Sequence, residues 1–338
     1  MTADPGTAAD PGALSVIRLG TRGSTLALAQ AGHIAADLER VSGIPVELVP
    51  ITSEGDVNRA SLSVIGGQGV FAGSLRTALL DGRCDVVVHS LKDLPTVPAD
   101  GLVVAAVPPR ADARDVLCAP SGTTLDSLPA GARVGTGSPR RIAQLAARRP
   151  DLEIVDLRGN VDSRLARVRS GELHAVVLSL AGLERIGRTD EVSEYLDLET
   201  WPTAPGQGAL AIEVRAEDAR HLREPFPQPT PLGAAVSLLT DPASESATEA
   251  ERAVLRGLGA GCTAPVAVAA VVGESTVDLH AAVYAPRGER RVEERGRTDF
   301  DPSDPADLEA VVAALAASLV EQLLAGGAAD LAPLGAAS

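Results

Sequence analysis

Short apolar runs alternate with helical patterns over roughly the first two hundred residues, and this alternation constrains the fold most strongly. Runs rich in Val, Ile and Leu are typical of buried strands, whereas apolar residues three or four positions apart are typical of helices that cover a sheet. Strands and helices in alternation indicate an α/β domain. With 338 residues, the chain is long enough for two or three domains, each with its own core.

The alternating pattern stops and then restarts, which predicts two α/β domains in succession. The first series contains strands at 15–21, 46–52 and 84–90 and helices near 24–41 and 70–81. Ser24 is placed to cap the first of these helices, and Gly82 follows the second as a stop signal. The second series contains the strands DVLCA, RVGTG, EIVDLRG and HAVVLSL and helices near 139–148 and 161–170.

The last third of the chain changes pattern and predicts a small α+β domain. After one more strand, GALAIEVRA, comes a stretch rich in Pro, Ser and Ala that is typical of a linker. Beyond it follow a helix near 247–257, the strands PVAVAAVV and TVDLHAAVYA, a charged strand near 290–297 and a helix near 305–325. We expect a disordered tail (1–14), α/β domain 1 (15–110 with 207–223), α/β domain 2 (111–206), a linker or insertion (224–246), α+β domain 3 (247–326) and a second tail (327–338).

Charge and composition exclude several classes of protein. The net charge of −15 disfavours a broad electrostatic grip on nucleic acid, and the 2% aromatic content offers few surfaces for base stacking. No stretch approaches the roughly 20 uninterrupted apolar residues that a membrane span needs. The start, MTADPGTAADPGA, has neither the basic region nor the apolar core of a signal peptide. We therefore expect a cytoplasmic protein that binds neither nucleic acid nor membranes.

The cysteines and histidines form no recognisable framework. Cys84, Cys118 and Cys262 are too few and too widely spaced for a disulfide scaffold or a zinc cluster. The five histidines never pair at metal-ligand spacing, so we predict no metal site. Cys84 and Cys118 border apolar runs, as small core residues do. Cys262 differs, because it lies in GLGAGCTAP, where glycines and a proline predict a loop.

Arginines concentrate between residues 133 and 188 and predict a local anion site within an acidic protein. In GTGSPRR, Ser138 is a plausible helix cap and Pro139 suits the first helical position. Arg140 and Arg141 then lie in the first turn, where the helix dipole disfavours cations by roughly 0.3 to 1 kcal/mol. A bound anion would resolve this conflict. The alternative is a pair of ordinary surface arginines.

The stretch HSLKDLP contains Lys92, the one lysine in a chain that otherwise uses arginine. Lys92 and Asp93 directly follow an apolar run, so they fall beyond the carboxyl end of a buried strand, where open α/β sheets bind ligands. Residues 136–138 and 158–160 also fall beyond the carboxyl ends of predicted strands. A compact ammonium group fits where a planar guanidinium would not. The alternative is a surface ion pair between these two neighbours.

A set of motifs resembles one enzyme family, hydroxymethylbilane synthase, also called porphobilinogen deaminase. The motifs are, in order, TRGS, GGQGVF, HSLKDLP, GTGSPRR, LRGNVDSRL, AGLERIG, APGQGAL and GAGCTAP, and the resemblance covers roughly residues 16 to 325. It implies two α/β domains like the lobes of type II periplasmic binding proteins, with a small α+β C-terminal domain. It also implies a cytoplasmic monomer that joins four porphobilinogen molecules head to tail, and a hand-off of product to uroporphyrinogen-III synthase.

The resemblance also implies roles for particular residues. Cys262 would hold a dipyrromethane cofactor by a thioether, and Asp93 would stabilise the pyrrolic cation and move protons at the reacting centre. Lys92 would contact carboxylates of substrate or cofactor. The remaining binding residues implied are Arg22, Arg140, Arg141, Arg158, Arg164 and Arg185, assisted by Ser24, Thr136, Ser138 and Gln207.

Three positions depart from the family pattern. Val64 and Gln68 stand where many relatives carry lysines, and Glu184 stands where a basic residue often precedes Arg185. One competing interpretation is a solute-binding or ligand-sensing protein of the same two-lobed architecture, which would leave Cys262 without a task. Another is an anion-binding scaffold or interaction module, which would not need Asp93 among the arginines.

Overall fold

The computed structural model of the protein describes residues 14–52, 72–219, 230–261, 263–332 and 334. Several sequence predictions lie outside these residues: the N-terminal tail up to residue 13, the GGQGVF motif with Val64 and Gln68, Cys262, and most of the last six residues. The described residues form three sheets with helices packed on them.

The first sheet has five strands in the order β2-β1-β3-β10-β4. Their bounds are β1 Ile17–Arg22, β2 Val46–Ile51, β3 Val86–Ser90, β4 Leu102–Ala106 and β10 Leu210–Arg215. β1 runs parallel to β2 and β3, whereas β10 runs antiparallel to β3 and β4. The chain therefore leaves this sheet after β4, builds the second sheet, and returns with β10. β4 was not predicted.

Two helices cover the first sheet close to where the sequence predicts them. Helix α1 spans Thr25–Ser42 and helix α2 spans Gly73–Leu80. Ser24 is confirmed as the cap of α1, since its Oγ accepts a hydrogen bond from the backbone N–H of Ala27 at 3.2 Å. Apolar residues of α1 and of β1 share one buried core. Because β1 and β3 are parallel, the loops that follow them lie at the same edge of the sheet.

The second sheet repeats this arrangement, with the order β7-β6-β8-β5-β9. Its strands are β5 Asp115–Cys118, β6 Arg133–Gly135, β7 Glu153–Val155, β8 Ala175–Ser179 and β9 Glu194–Tyr195, and its helices are α3 Pro139–Arg148, α4 Val161–Arg169 and α5 Leu180–Arg185. β6 is parallel to β7 and β8, and β5 is antiparallel to β8 and β9. The prediction of two α/β units is confirmed; β9 and α5 were not predicted.

The stretch predicted as a linker or insertion contains a helix. Within 224–246, residues Pro231–Ser237 form helix α6, and Thr230 caps it by accepting a hydrogen bond from the N–H of Gly233 at 3.0 Å. Leu232 and Val236 of α6 are buried in the core of the first sheet. The next helix also starts earlier than predicted, at Pro242. Burial of this apolar face outweighs a composition that is otherwise typical of linkers.

The C-terminal unit is the predicted α+β structure. Strands β11 Val266–Val272, β12 Thr276–Tyr284 and β13 Arg291–Asp299 form an antiparallel sheet, covered by helices α7 Pro242–Gly257 and α8 Pro305–Ala325. By length and composition alone, α8 is the one helix in the described residues that could cross a membrane. Its Val312, Ala316, Leu319 and Leu323 are buried against α7 and the third sheet.

Candidate active site

The turn that follows β3 carries the lysine and the aspartate of HSLKDLP. Residues Leu91–Asp93 form a single 3-10 turn at the carboxyl end of the strand, as the sheet pattern predicts. Leu91 is buried and anchors the turn, while Lys92 and Asp93 are partly buried. Burial, and after it the charge of Arg141, lowers the pKa of Lys92 to about 8. Lys92 is therefore a partly buried cation, and the charge of Asp93 beside it favours its charged form.

Gln207 connects this turn to the second α/β unit. Its side-chain Oε1 accepts hydrogen bonds from Lys92 Nζ at 3.3 Å and from Arg141 Nη2 at 3.4 Å. Its Nε2 donates to Asp115 Oδ1 at 2.8 Å. Gly208 follows with φ +89°, and a Cβ at this position would lie 2.5 Å from the carbonyl oxygen of Ala111. Only glycine fits this crossing between the two units, and the crossing fixes Gln207 between them.

The start of α3 carries the arginine pair that sequence reasoning selected. Ser138 is confirmed as the cap, because its Oγ accepts a hydrogen bond from the N–H of Arg141 at 3.5 Å. Both residues are buried, with 3% of Arg140 and 6% of Arg141 exposed, so the surface-arginine alternative is wrong. Arg140 Nη1 lies 2.7 Å from Asp115 Oδ2, and Arg141 Nη2 lies 2.6 Å from Asp115 Oδ1. The protein thus supplies one anion at this helix start itself.

Asp115 is the central residue that sequence reasoning missed. It is fully buried, and it also accepts a hydrogen bond from Trp201 Nε1 at 3.0 Å. Burial alone would raise the pKa of its carboxyl group, but the charges of Arg140 and Arg141 outweigh burial and hold the pKa far below its ordinary range. Because the single carboxylate of Asp115 faces two guanidinium groups, the three side chains together keep a net positive charge.

Arg158 and Arg164 add to that positive charge. Burial, followed by the charges of Arg141 and Arg158, lowers the pKa of Arg164 to about 10. Because Arg141 lowers the pKa of both Arg164 and Lys92, cations from the two α/β units share one electrostatic neighbourhood. The structure therefore brings together Lys92, Arg140, Arg141, Arg158, Arg164 and Gln207 of the predicted set.

Three guanidinium nitrogens of this group are buried and lack a hydrogen-bond partner within the described part of the chain. They are Arg140 Nε, Arg141 Nε and Arg158 Nη2. Buried polar atoms in folded proteins nearly always have a partner, so unpaired donors in a cation-rich site indicate a place for an anionic group. Carboxylates suit the guanidinium fork best. The arrangement can therefore bind a ligand that carries several carboxylates.

The other predicted residues lie around this group or outside the described chain. Arg185 Nη2 donates to the carbonyl oxygen of Gly208 at 2.6 Å, and its neighbour Glu184 is exposed. Arg22 ends β1, next to the Ser24 cap. Thr136 is buried, and its Oγ1 accepts a hydrogen bond from the N–H of Ser138 at 3.3 Å. Cys262 is outside the described residues.

Family models and curated relatives all match this chain to one enzyme family. A model described as "Porphobilinogen deaminase, dipyromethane cofactor binding domain" matches residues 17–223, and one described as "Porphobilinogen deaminase, C-terminal domain" matches residues 246–321. The chain is 52% identical over 318 residues to the porphobilinogen deaminase of Leifsonia xyli subsp. xyli, covering 94% of each chain. It is 48% identical over 312 residues to that of Thermobifida fusca, covering 92% of this chain and 94% of the relative.

A solved structure also aligns with part of the chain. It is a periplasmic substrate-binding protein of an ABC transporter from Coxiella burnetii, with a TM-score of 0.42 and 16% sequence identity. The alignment covers 68% of this chain and 94% of that one.

Proposed function

Because the chain belongs to the porphobilinogen deaminase family, we infer that it is a transferase of tetrapyrrole biosynthesis. It deaminates porphobilinogen and condenses four molecules head to tail on a covalently bound dipyrromethane primer, then releases linear hydroxymethylbilane by hydrolysis. The similarity extends over 94% of each of these two relatives, which supports an enzyme rather than a binding domain alone.

The unpaired guanidinium donors are the observation that carries this proposal. A dipyrromethane bears acetate and propionate side chains, and the site offers buried Arg140, Arg141 and Arg158 nitrogens without partners among the described residues. The residues present therefore fit such a group. When bound, the primer supplies the free pyrrole carbon to which the next unit is joined. Arg140, Arg141, Arg158 and Arg164 would hold its carboxylates by charge-assisted hydrogen bonds.

Asp93 is the proposed catalytic residue. As ammonia leaves porphobilinogen, positive charge develops on the pyrrole ring, and a carboxylate held at the carboxyl end of β3 can stabilise it. In its protonated form this carboxyl group can give a proton to the leaving amine. The carboxylate that results can stabilise the ring cation and take up the proton that the pyrrole carbon loses after the bond has formed. Lys92 lies beside it and would bind a substrate carboxylate, which keeps the substrate ring oriented over Asp93.

Further assignments complete the proposal. Cys262 would attach the primer, and Arg22, Ser24, Thr136, Ser138, Arg185 and Gln207 would assist in binding substrate and primer. Of these, Ser24 and Ser138 already act as helix caps, so their part is to fix the loops that they end. The enzyme would work in the cytoplasm as a monomer and hand its product to uroporphyrinogen-III synthase.

The test combines intact-protein mass with turnover. Purified protein should weigh more than its polypeptide by two pyrrole units, and Cys262→Ser should lack this increment. Asp93→Asn should keep the mass increment and the melting temperature but lose at least 99% of porphobilinogen consumption, because removing the charge removes stabilisation of the cation. Asp126→Asn, at an exposed carboxylate paired with Arg148, is the control and should turn over at the wild-type rate. Wild-type turnover by Asp93→Asn would exclude Asp93 as the catalytic group.

A further inference from the structure

Helix α7 of the C-terminal unit contacts the turn that carries Asp93. Arg252, in the middle of α7, donates from Nη1 to the carbonyl oxygens of Leu91 at 3.3 Å and Leu94 at 3.0 Å. Its Nη2 donates to the carbonyl oxygen of Pro95 at 2.7 Å. These three carbonyl groups flank Asp93 on both sides along the chain. One guanidinium group thus binds the backbone two residues before the proposed catalytic residue and at the two residues that follow it.

The position of Arg252 on α7 is itself fixed by its neighbour Glu251. The Glu251 carboxylate is fully buried and accepts two hydrogen bonds from Arg110, both at 2.9 Å. It also accepts from the N–H of Gly206 at 2.7 Å and from the N–H of Ala270 at 2.9 Å. Arg110 and Gly206 lie at the two chain crossings between the α/β units, and Ala270 lies in β11. Because Glu251 is held from three directions, Arg252 reaches the Asp93 turn from a rigid base.

We propose that Arg252 is a positioning residue for the deamination step. It holds the backbone of the 91–95 turn so that the Asp93 carboxylate stays where charge develops on the substrate. This inference rests on the proposed function, in which Asp93 is catalytic. Arg252 acts through backbone carbonyls, so its loss should change the rate of the chemical step more than the binding of substrate. Displacement of a catalytic group by about 1 Å can cost on the order of 100-fold in rate.

A cavity next to Arg252 makes a sharp test practicable. It has a volume of about 290 Å³ and lies between α7 and the 94–104 segment, with Arg252 and Arg256 on its wall. Arg252→Ala would enlarge this cavity by the volume of the lost side chain, so free guanidinium ion could enter and bind the same carbonyls. Arg256 is the matched control, because it lies one turn further along the same helix and pairs with exposed Glu249.

The experiment measures kcat, KM, intact mass and melting temperature for wild type, Arg252→Ala, Arg252→Lys and Arg256→Ala. We expect Arg252→Ala to carry the primer, to lose at least tenfold in kcat, and to keep KM within about twofold. Millimolar guanidinium chloride should restore part of the lost kcat, whereas sodium chloride of equal ionic strength should not. Arg256→Ala should match wild type with and without guanidinium. The kcat of Arg252→Lys should lie between those of Arg252→Ala and wild type, because one ammonium group replaces a planar fork.

Three outcomes would overturn the inference. They are a wild-type kcat in Arg252→Ala despite a lower melting temperature, a tenfold loss that appears in KM instead, and an equal response of Arg256→Ala to guanidinium. If Arg252→Ala does not fold, Arg252→Lys decides, and a wild-type kcat in that variant rejects the proposal. Failure of the proposed function looks different, since the wild-type protein would then carry no primer mass and leave porphobilinogen unconsumed.

Discussion

Asp115→Asn should destabilise the second α/β unit severely, although it changes one atom of a residue that no substrate need contact. Oδ1 of Asp115 accepts from Arg141 and Gln207, and Oδ2 accepts from Arg140 and Trp201. Asparagine has one carbonyl oxygen, so its NH2 group must face two of these four donors in either orientation. Two buried guanidinium groups also lose their shared counter-charge.

The expected size of the effect follows from burial. Removing one partner of a buried ion pair typically costs about 3 to 5 kcal/mol, because the remaining charge is left in a poorly solvated place. Here the exposed fractions of the Asp115, Arg140 and Arg141 side chains are 0%, 4% and 7%. We therefore expect a loss of about 3 to 5 kcal/mol in the free energy of unfolding. The exposed pair of Asp126 and Arg148 should contribute less than about 1 kcal/mol.

The protein contains its own probe for this measurement. Trp201 is the single tryptophan of the chain, is buried, and donates its Nε1–H to Asp115. Urea unfolding followed by tryptophan emission therefore reports on this site directly. Asp115→Asn should shift the native emission spectrum and lower the urea midpoint, while Asp126→Asn should change neither. Unfolding free energies for wild type and Asp115→Asn that agree within about 1 kcal/mol would refute the reasoning.

Asp115 should also make the stability of the fold depend on pH. The pKa of Asp115 is lower in the folded protein than its ordinary value near 3.9, because the arginine charges outweigh burial. A carboxyl group with a depressed pKa stabilises the fold above its unfolded pKa, and this contribution is lost as the pH falls below about 4. Wild-type stability should therefore decline in acid more steeply than that of Asp115→Asn.

Two more predictions concern Lys92 and the chain crossing at Gly208. Burial and Arg141 lower the pKa of Lys92 to about 8, so KM for porphobilinogen should rise as the pH passes 8 and Lys92 loses its charge. Lys92→Gln should show a raised KM at pH 7 without this rise, and KM measured from pH 6.5 to 9 checks it. Gly208→Ala should lower the melting temperature more than Gly122→Ala. Both glycines have positive φ, but a Cβ would meet the Ala111 carbonyl oxygen only at Gly208.

The elements that sequence reasoning found are those with local signals. Ser24 and Ser138 begin helices α1 and α3 as predicted, because a side-chain cap and the first turn it satisfies are neighbours in the chain. Helix α5 was missed because it follows β8 without a loop and is too short to show a helical period. Helix α6 was missed because its composition is typical of a linker, although the Thr230 and Pro231 pair is a usable start signal.

The residues of the candidate site also divide into those with a local sequence signal and those without one. Lys92, Asp93, Arg140 and Arg141 stand out in the sequence because they follow strands or break a helix rule. Asp115 gave no such signal, since it looks like the polar first residue of an apolar strand. Its role depends on Arg140 and Arg141, which are 25 and 26 residues away. Arg252 is further still, at 161 residues from Leu91. Long-range partners of this kind become visible only when the chain is folded.

The single lysine can now be explained by what surrounds it. The Oε1 of Gln207 already accepts from Arg141 as well as from Lys92, so an arginine at position 92 would bring a second fork of donors to the same oxygen. Its charge would also be permanent, beside a guanidinium pair that Asp115 only partly neutralises. An ammonium group adds fewer donors, and because its pKa is lowered to about 8 it stays charged at pH 7 and releases its proton only as the pH rises past 8. A carboxylate ligand would raise that pKa again, so Lys92 would keep its charge to a higher pH when an anion is bound than when none is.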